Sequence, residues 1–152
     1  MARAQAASSA RDTSALRVLF IGNSYTYFND LPSVVGDLAA AARERRAFVA
    51  EQVTFGGHTI EMHLARPEAL AAVRRGRWSL VIVQEQSTRP IEAPQRTIHD
   101  VPRIGDEVKK AGAKLLLYLT WAREARPSSQ DTLSATYTAA AAAVGASVVP
   151  VG

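Results

Sequence analysis

Three almost wholly apolar runs, Val18-Leu19-Phe20-Ile21, Leu80-Val81-Ile82-Val83 and Leu115-Leu116-Leu117-Tyr118-Leu119, are separated by segments with helical spacing. Apolar runs this short, bounded by glycine or polar residues, read as strands covered on both faces. The segment after the first run, Leu31 to Arg46, keeps apolar residues at Leu31, Val34, Val35, Leu38, Ala39 and Ala42, with Asp30 placed to cap it and Pro32 in its first turn. Ala47 to Phe55 then reads as a second strand stopped by Gly56-Gly57, and Ile60 to Arg75 as a second helix that Pro67 should break or kink. Ser79 to Val83 is the third strand, Thr88 to Pro94 a loop, and Ile98 to Ala111 a third helix closed by Gly112. Lys114 to Thr120 is the fourth strand, Asp131 to Val144 a fourth helix closed by Gly145, and Ser147 to Val149 begins a fifth strand. Strands alternating with helices at this spacing imply parallel strands joined by right-handed crossovers, hence a three-layer α/β/α sandwich. Such a fold puts chemistry at the carboxyl ends of its strands, in the loops after Ile21, Phe55, Val83 and Thr120.

The chain's 152 residues, 47% of them hydrophobic, suit one domain, expected over 16–152 with a small, polar N-terminal arm at 1–15. Its 18 basic and 14 acidic residues give a formal charge of +4, but the arginines are scattered, and no aromatic residues interleave with them as a nucleic-acid platform requires. There is no cysteine, which excludes disulfides, thiolate metal sites and cysteine nucleophiles. No apolar run approaches the roughly 18–20 residues that cross a bilayer, and no signal-peptide pattern opens the chain, so no membrane partner is expected and a cytoplasmic location is the default. Neither a G-x-G-x-x-G fingerprint nor a P-loop lysine is present, and no histidine pair suits a metal; no cofactor is expected.

The first strand-end loop, Gly22-Asn23-Ser24-Tyr25-Thr26, puts a serine near a helix start, where backbone N–H groups lack internal partners and can meet a developing oxyanion. Ser24 there is either a nucleophile or a turn cap. Gly56-Gly57-His58-Thr59 either lets a backbone N–H approach a ligand or forms a tight turn. Gln84-Glu85-Gln86-Ser87 sets strongly polar side chains directly after an apolar strand, and a primary amide can donate to negative charge without being charged itself. Together these loops offer the parts of an acyl-transfer site built around an oxyanion hole.

The run RVLFIGNSYTYFNDLP resembles the first block of the SGNH (GDSL-like) hydrolases in a G-N-S variant. Gly56 to Thr59 resembles their second block, and Leu80 to Ser87 the third block of a subgroup with Q-E-Q-S. Thr120-Trp121 and the VVPVG ending are similar to the same subgroup. The resemblance covers about Arg17 to Gly152 and implies a flavodoxin-like sheet and a serine esterase or acyl hydrolase acting on a small acyl ester or an acetylated carbohydrate. By that resemblance Ser24 Oγ attacks the carbonyl to form an acyl-enzyme. The Ser24 and Gly57 N–H groups and the Gln86 amide then hold the oxyanion, with Gln84 competing with Gln86 and Asn23 a further binding candidate. Tyr25, Tyr27 and Trp121 either line a substrate cleft or simply pack.

The family's general base is a histidine in a D-x-x-H motif, and none occurs here. Of the three histidines, His58 adjoins Gly57 and is the one expected near Ser24, although the family's fold does not place its base there; His63 and His99 are expected to face solvent. The expectation is therefore a C-terminally incomplete hydrolase lacking its base and last helix, inactive alone, with an uncovered sheet face that favours self-association. The competing reading is a non-catalytic binding module or degenerate fragment using the same pocket.

Overall fold

The computed structural model describes residues 15–151; the N-terminal arm, apart from Ala15, lies outside the described residues. Five strands, β1 (Ala15–Gly22), β2 (Ala47–Thr54), β3 (Leu80–Val83), β4 (Lys114–Leu119) and β5 (Ser147–Pro150), form one sheet in the order β2-β1-β3-β4-β5. Every pairing is parallel. The three-layer α/β/α sandwich is the one expected from the strand–helix alternation, and the flavodoxin-like strand order is the one that the family resemblance implies.

Along β1, β3 and β4 alternate residues leave opposite faces of the sheet. Leu19, Ile21, Val81, Val83, Leu117 and Leu119 join one core cluster, packed beneath four helices: α3 (Ile60–Ala65), α4 (Pro67–Arg75), α6 (Pro94–Lys110) and α7 (Gln130–Val144). Val18, Phe20, Leu80, Ile82 and Leu116 therefore belong to the other face. Among the described residues that face is covered by α2 (Leu31–Ala41), which lies over Phe48 of β2 beside Gly36. Leu80, Ile82 and Leu116 stay half-buried there, and Val34 and Leu38 of α2 are 45% and 64% exposed. Apolar area left in water favours association. Size-exclusion chromatography of this chain is expected to show oligomers or poor recovery, and a monodisperse monomer would count against it.

Two helical turns were not anticipated: α1 (Ser24–Tyr27) and α5 (Arg89–Glu92), each four residues, too short to show a period. Asp30 does not cap α2 through its side chain; it sits at φ 49, where its carbonyl rather than its carboxylate accepts from Ser33 and Val34. Helix α2 ends at Ala41, short of Arg46. Pro67 does divide the second helix, because Arg66 before it is forced into extended backbone. Helix α6 begins at Pro94, four residues ahead of Ile98, since proline suits a first helical turn. No helix is long and apolar enough to cross a membrane, among the described residues.

Candidate active site

The loops after β1, β2 and β3 meet at the carboxyl edge of the sheet, tied to one another by side chains from all three. Asn23 caps α1: its Oδ1 accepts from the Tyr25 N–H at 3.2 Å, and its Nδ2 donates to the His58 carbonyl at 3.0 Å. Gln84, 1% exposed, reaches up from the end of β3. Its Oε1 accepts from the Asn23 N–H at 3.1 Å and the Thr26 hydroxyl at 3.0 Å, and its Nε2 donates to Asn23 Oδ1 at 3.1 Å and to the Glu85 carbonyl. Asn23 and Gln84 thus serve each other and the loop backbone from a buried position.

Glu85 is fully buried and ties the second and third loops together. Its Oε1 accepts from the Ile60 N–H at 3.0 Å and the Gln86 N–H at 2.8 Å, and its Oε2 from the Thr97 hydroxyl at 3.2 Å. Burial pushes this carboxyl above its ordinary range, and the two backbone donors oppose the shift without cancelling it. Gln84 and Glu85, expected at the site face, are instead buried, each paired with partners from loops far away in the sequence.

Ser24 is the first residue of α1, half-buried, and neither its Oγ nor its N–H has a hydrogen-bond partner among the described residues. Gly57 adopts φ +69, open space lies where a side chain would stand, and its N–H is likewise without a partner. A residue with Cβ pays strain at such a φ, which accounts for glycine there. Gln86 is oriented by its oxygen: Oε1 accepts from the Thr88 N–H at 2.8 Å, the Thr88 hydroxyl at 3.2 Å and the Arg89 N–H at 2.9 Å. Three donors on one oxygen decide which end of the amide is nitrogen, leaving Nε2 as a donor with no partner among the described residues.

The histidines divide differently from expectation. His63 does not face solvent: it is 1% exposed, because Ile60 and His63 share the inward side of α3. Its Nε2–H donates to the Gly22 carbonyl at 2.8 Å, while Nδ1 is buried without a partner. His58 lies against Phe55 and His63, with ring centroids 4.9 and 5.4 Å away. His99 is solvent-facing, as its 70% exposed side chain shows, and pairs with Asp100 at 2.9 Å. Tyr25, next to Ser24, stacks on Trp121 of the loop after β4 at 4.9 Å and 11°; Trp121 and Tyr27 are each 40% exposed. A groove of about 770 Å³ lies elsewhere, between α2 and the edge strand β2, lined by Ser33, Asp37, Arg46, Phe48 and Glu51 among others. It holds none of the strand-end residues.

No sequence-family profile and no curated protein matches the chain. Solved structures do. A protein from Slackia heliotrinireducens, provisionally assigned as an SGNH hydrolase, superposes with a TM-score of 0.74 at 25% identity, over 88% of this chain and 78% of that one. AlinE4, an SGNH-hydrolase family esterase, gives 0.69 at 16%, over 90% and 76%. A variant of Axe2, an acetyl xylan esterase from Geobacillus stearothermophilus, gives 0.67 at 17%, over 93% and 78%. With its 2-1-3-4-5 parallel sheet and its G-N-S turn at the carboxyl edge, the chain shares the fold of these SGNH hydrolases and is similar to them.

Proposed function

We propose that the site is that of a serine ester hydrolase in which Ser24 Oγ attacks the ester carbonyl. The carbonyl oxygen takes the negative charge of the tetrahedral intermediate, held by the N–H groups of Ser24 and Gly57 and by Gln86 Nε2. Collapse of the intermediate expels the alcohol, which takes the serine's proton by way of a general base, and water then releases the acid from the acyl-enzyme. One observation carries the reading: three hydrogen-bond donors, each without a partner among the described residues, sit on three loops that buried side chains lock together. Preorganised donors of this kind are the largest single contribution in many acyl-transfer sites.

A small acyl ester or acetylated carbohydrate is the proposed substrate class, in keeping with the esterase and acetyl xylan esterase among the similar structures. The Tyr25–Trp121 stack beside Ser24 offers a flat wall for it. The general base is assigned to none of the histidines: His63 spends Nε2 on Gly22 and buries Nδ1, and neither His58 nor His99 bonds Ser24 among the described residues.

An oxyanion hole with an incomplete triad still accelerates its reaction by about 10³–10⁴-fold over water. Added imidazole can stand in for the base. With p-nitrophenyl acetate we expect imidazole-dependent turnover above that of imidazole without protein, and an acetyl group on Ser24 by mass spectrometry. Ser24→Ala should lose both, and equal imidazole-dependent turnover in that variant overturns the assignment of Ser24.

A further inference from the structure

The peptide joining Gly22 to Asn23 immediately precedes the nucleophile, and it is gripped at both ends. Its carbonyl accepts from His63 Nε2–H at 2.8 Å and from the Phe55 N–H at 3.3 Å. Its N–H donates to Gln84 Oε1 at 3.1 Å. These bonds fix the rotation of the peptide plane, and with it the direction in which the next N–H, that of Ser24, emerges. The shortest of the three comes from a side chain 41 residues away on α3, fully enclosed and in contact with nothing that reacts. We propose that His63 is a positioning residue, whose Nε2–H sets the Gly22–Asn23 peptide and so aims the Ser24 N–H and Oγ.

Three features separate this role from simple core packing. A histidine in a core ordinarily satisfies both ring nitrogens, whereas here Nδ1 has no partner and one nitrogen alone is used. The ring is held in place by Phe55, at 5.8 Å between centroids, and by His58, so the Nε2–H is presented from a fixed direction. The carbonyl it reaches is the one before Asn23, the residue whose own side chain caps α1. The Nε2–H tautomer is dictated by the network, since a carbonyl oxygen can only accept.

The protonation state follows from the same surroundings. Burial holds His63 below its ordinary value of 6.5, and the groups that face it are His58, Arg66 and Glu68. The bond to the Gly22 carbonyl and the charge of Glu68 oppose the lowering without cancelling it, so the ring stays neutral to lower pH in the folded protein than in the unfolded chain. The unfolded chain takes up a proton first as pH falls. Stability is therefore intact above 6.5 and lost progressively from 6.5 down towards the folded value.

The inference rests on Ser24 being the nucleophile, so its test needs one arm that does not use the reaction. His63→Leu removes the donor and keeps the apolar volume; His63→Gln carries an amide N–H at nearly the reach of Nε2. In the first arm, amide hydrogen exchange of Asn23 is followed by NMR. We expect about tenfold faster exchange in His63→Leu, because loosening one end of the peptide frees the other, and near wild-type exchange in His63→Gln. In the second arm, imidazole-dependent turnover of p-nitrophenyl acetate should fall about 10- to 100-fold in kcat for His63→Leu with KM unchanged, as expected when a reacting atom is misaimed. His63→Gln should restore most of it. Urea midpoints between pH 7.5 and 5 should fall more steeply for the wild type than for His63→Gln. Unchanged Asn23 exchange in a folded His63→Leu protein overturns the proposal, as does a folded His63→Gln protein that behaves like the leucine variant. If the wild type never acylates Ser24, the nucleophile reading fails, while the exchange arm still decides what His63 does.

Discussion

Glu85→Ala is expected to lower the stability of the chain by about 3–5 kcal/mol, since each buried donor left without an acceptor costs about 1–3 kcal/mol. The alanine strips the acceptor from the Ile60 N–H, the Gln86 N–H and the Thr97 hydroxyl together, and it opens a void where a fully buried side chain stood. At roughly 2–4 °C per kcal/mol for a chain of this length, the midpoint of thermal unfolding should drop by about 6–20 °C. Glu85→Gln separates hydrogen bonding from charge. Its Oε1 can accept from both backbone N–H groups, and its Nε2 can donate to Thr97 Oγ1, so all three links survive. Its cost should stay within about 1 kcal/mol, typical of a substitution that keeps buried groups paired. Because burial raises the Glu85 pKa in the folded state, the native protein binds a proton more readily than the unfolded chain. The wild type accordingly loses stability as pH climbs from 4.5 through the raised value, a slope the glutamine variant lacks. Calorimetry of both variants checks this: an alanine variant within about 2 °C of wild type, or a glutamine variant as weak as alanine, sinks the bracing role.

The contrast between Glu85 and the strand before it shows what a sequence makes legible. Val81 and Val83 announce a buried strand because a run of apolar residues has no other stable place, and the same logic locates β1 and β4. The parallel three-layer sandwich then follows from alternation and handedness, and with it the carboxyl edge whose loops hold Ser24, Gly57 and Gln86, while the strand order is what the family resemblance implies. What a sequence does not announce is which polar residues turn inward. Gln84 and Glu85 read as site-lining polar groups because polar residues after an apolar strand usually meet solvent or ligand. In the fold they are swallowed, because acceptors and donors 58 and 61 positions away in Thr26 and Asn23, and 25 away in Ile60, come to meet them. Pairings at that separation leave no local pattern. His63 did leave one, three residues after Ile60 on the inward side of α3, but helical spacing alone does not tell a buried histidine from an exposed one. The turns α1 and α5 escaped because four residues hold barely one period.

Gly22→Ala is the second large effect, and it tests why the nucleophile turn begins with glycine. The backbone there does not require one: Gly22 is absent from the residues with positive φ. What forbids a side chain is proximity, since a Cβ at Gly22 would stand 2.6 Å from Gln84 Oε1 and 2.6 Å from Thr26 Oγ1. Flexible side chains often yield to such contacts, but these two are bonded to each other at 3.0 Å, and Oε1 also holds the Asn23 N–H. To admit the methyl group, Gln84 must withdraw, and it takes with it the bonds that link the first loop to the third. Overpacking costs about 1–3 kcal/mol, and each hydrogen bond lost about 1 kcal/mol more, so about 3 kcal/mol in all is expected. A double-mutant cycle with Gln84→Ala isolates the cause. With the glutamine truncated, the 2.6 Å clash with Oε1 is gone, leaving the Thr26 hydroxyl and, at 3.2 Å, the Cβ of residue 84, and Gly22→Ala should then cost about 1 kcal/mol, a coupling of about 2 kcal/mol measured by urea unfolding. Costs that simply add would place the strain elsewhere in the loop. Imidazole-dependent acylation of Ser24 should fall in Gly22→Ala more than its loss of stability explains, because the displaced bonds are the ones that hold the Asn23 N–H and the α1 cap in place.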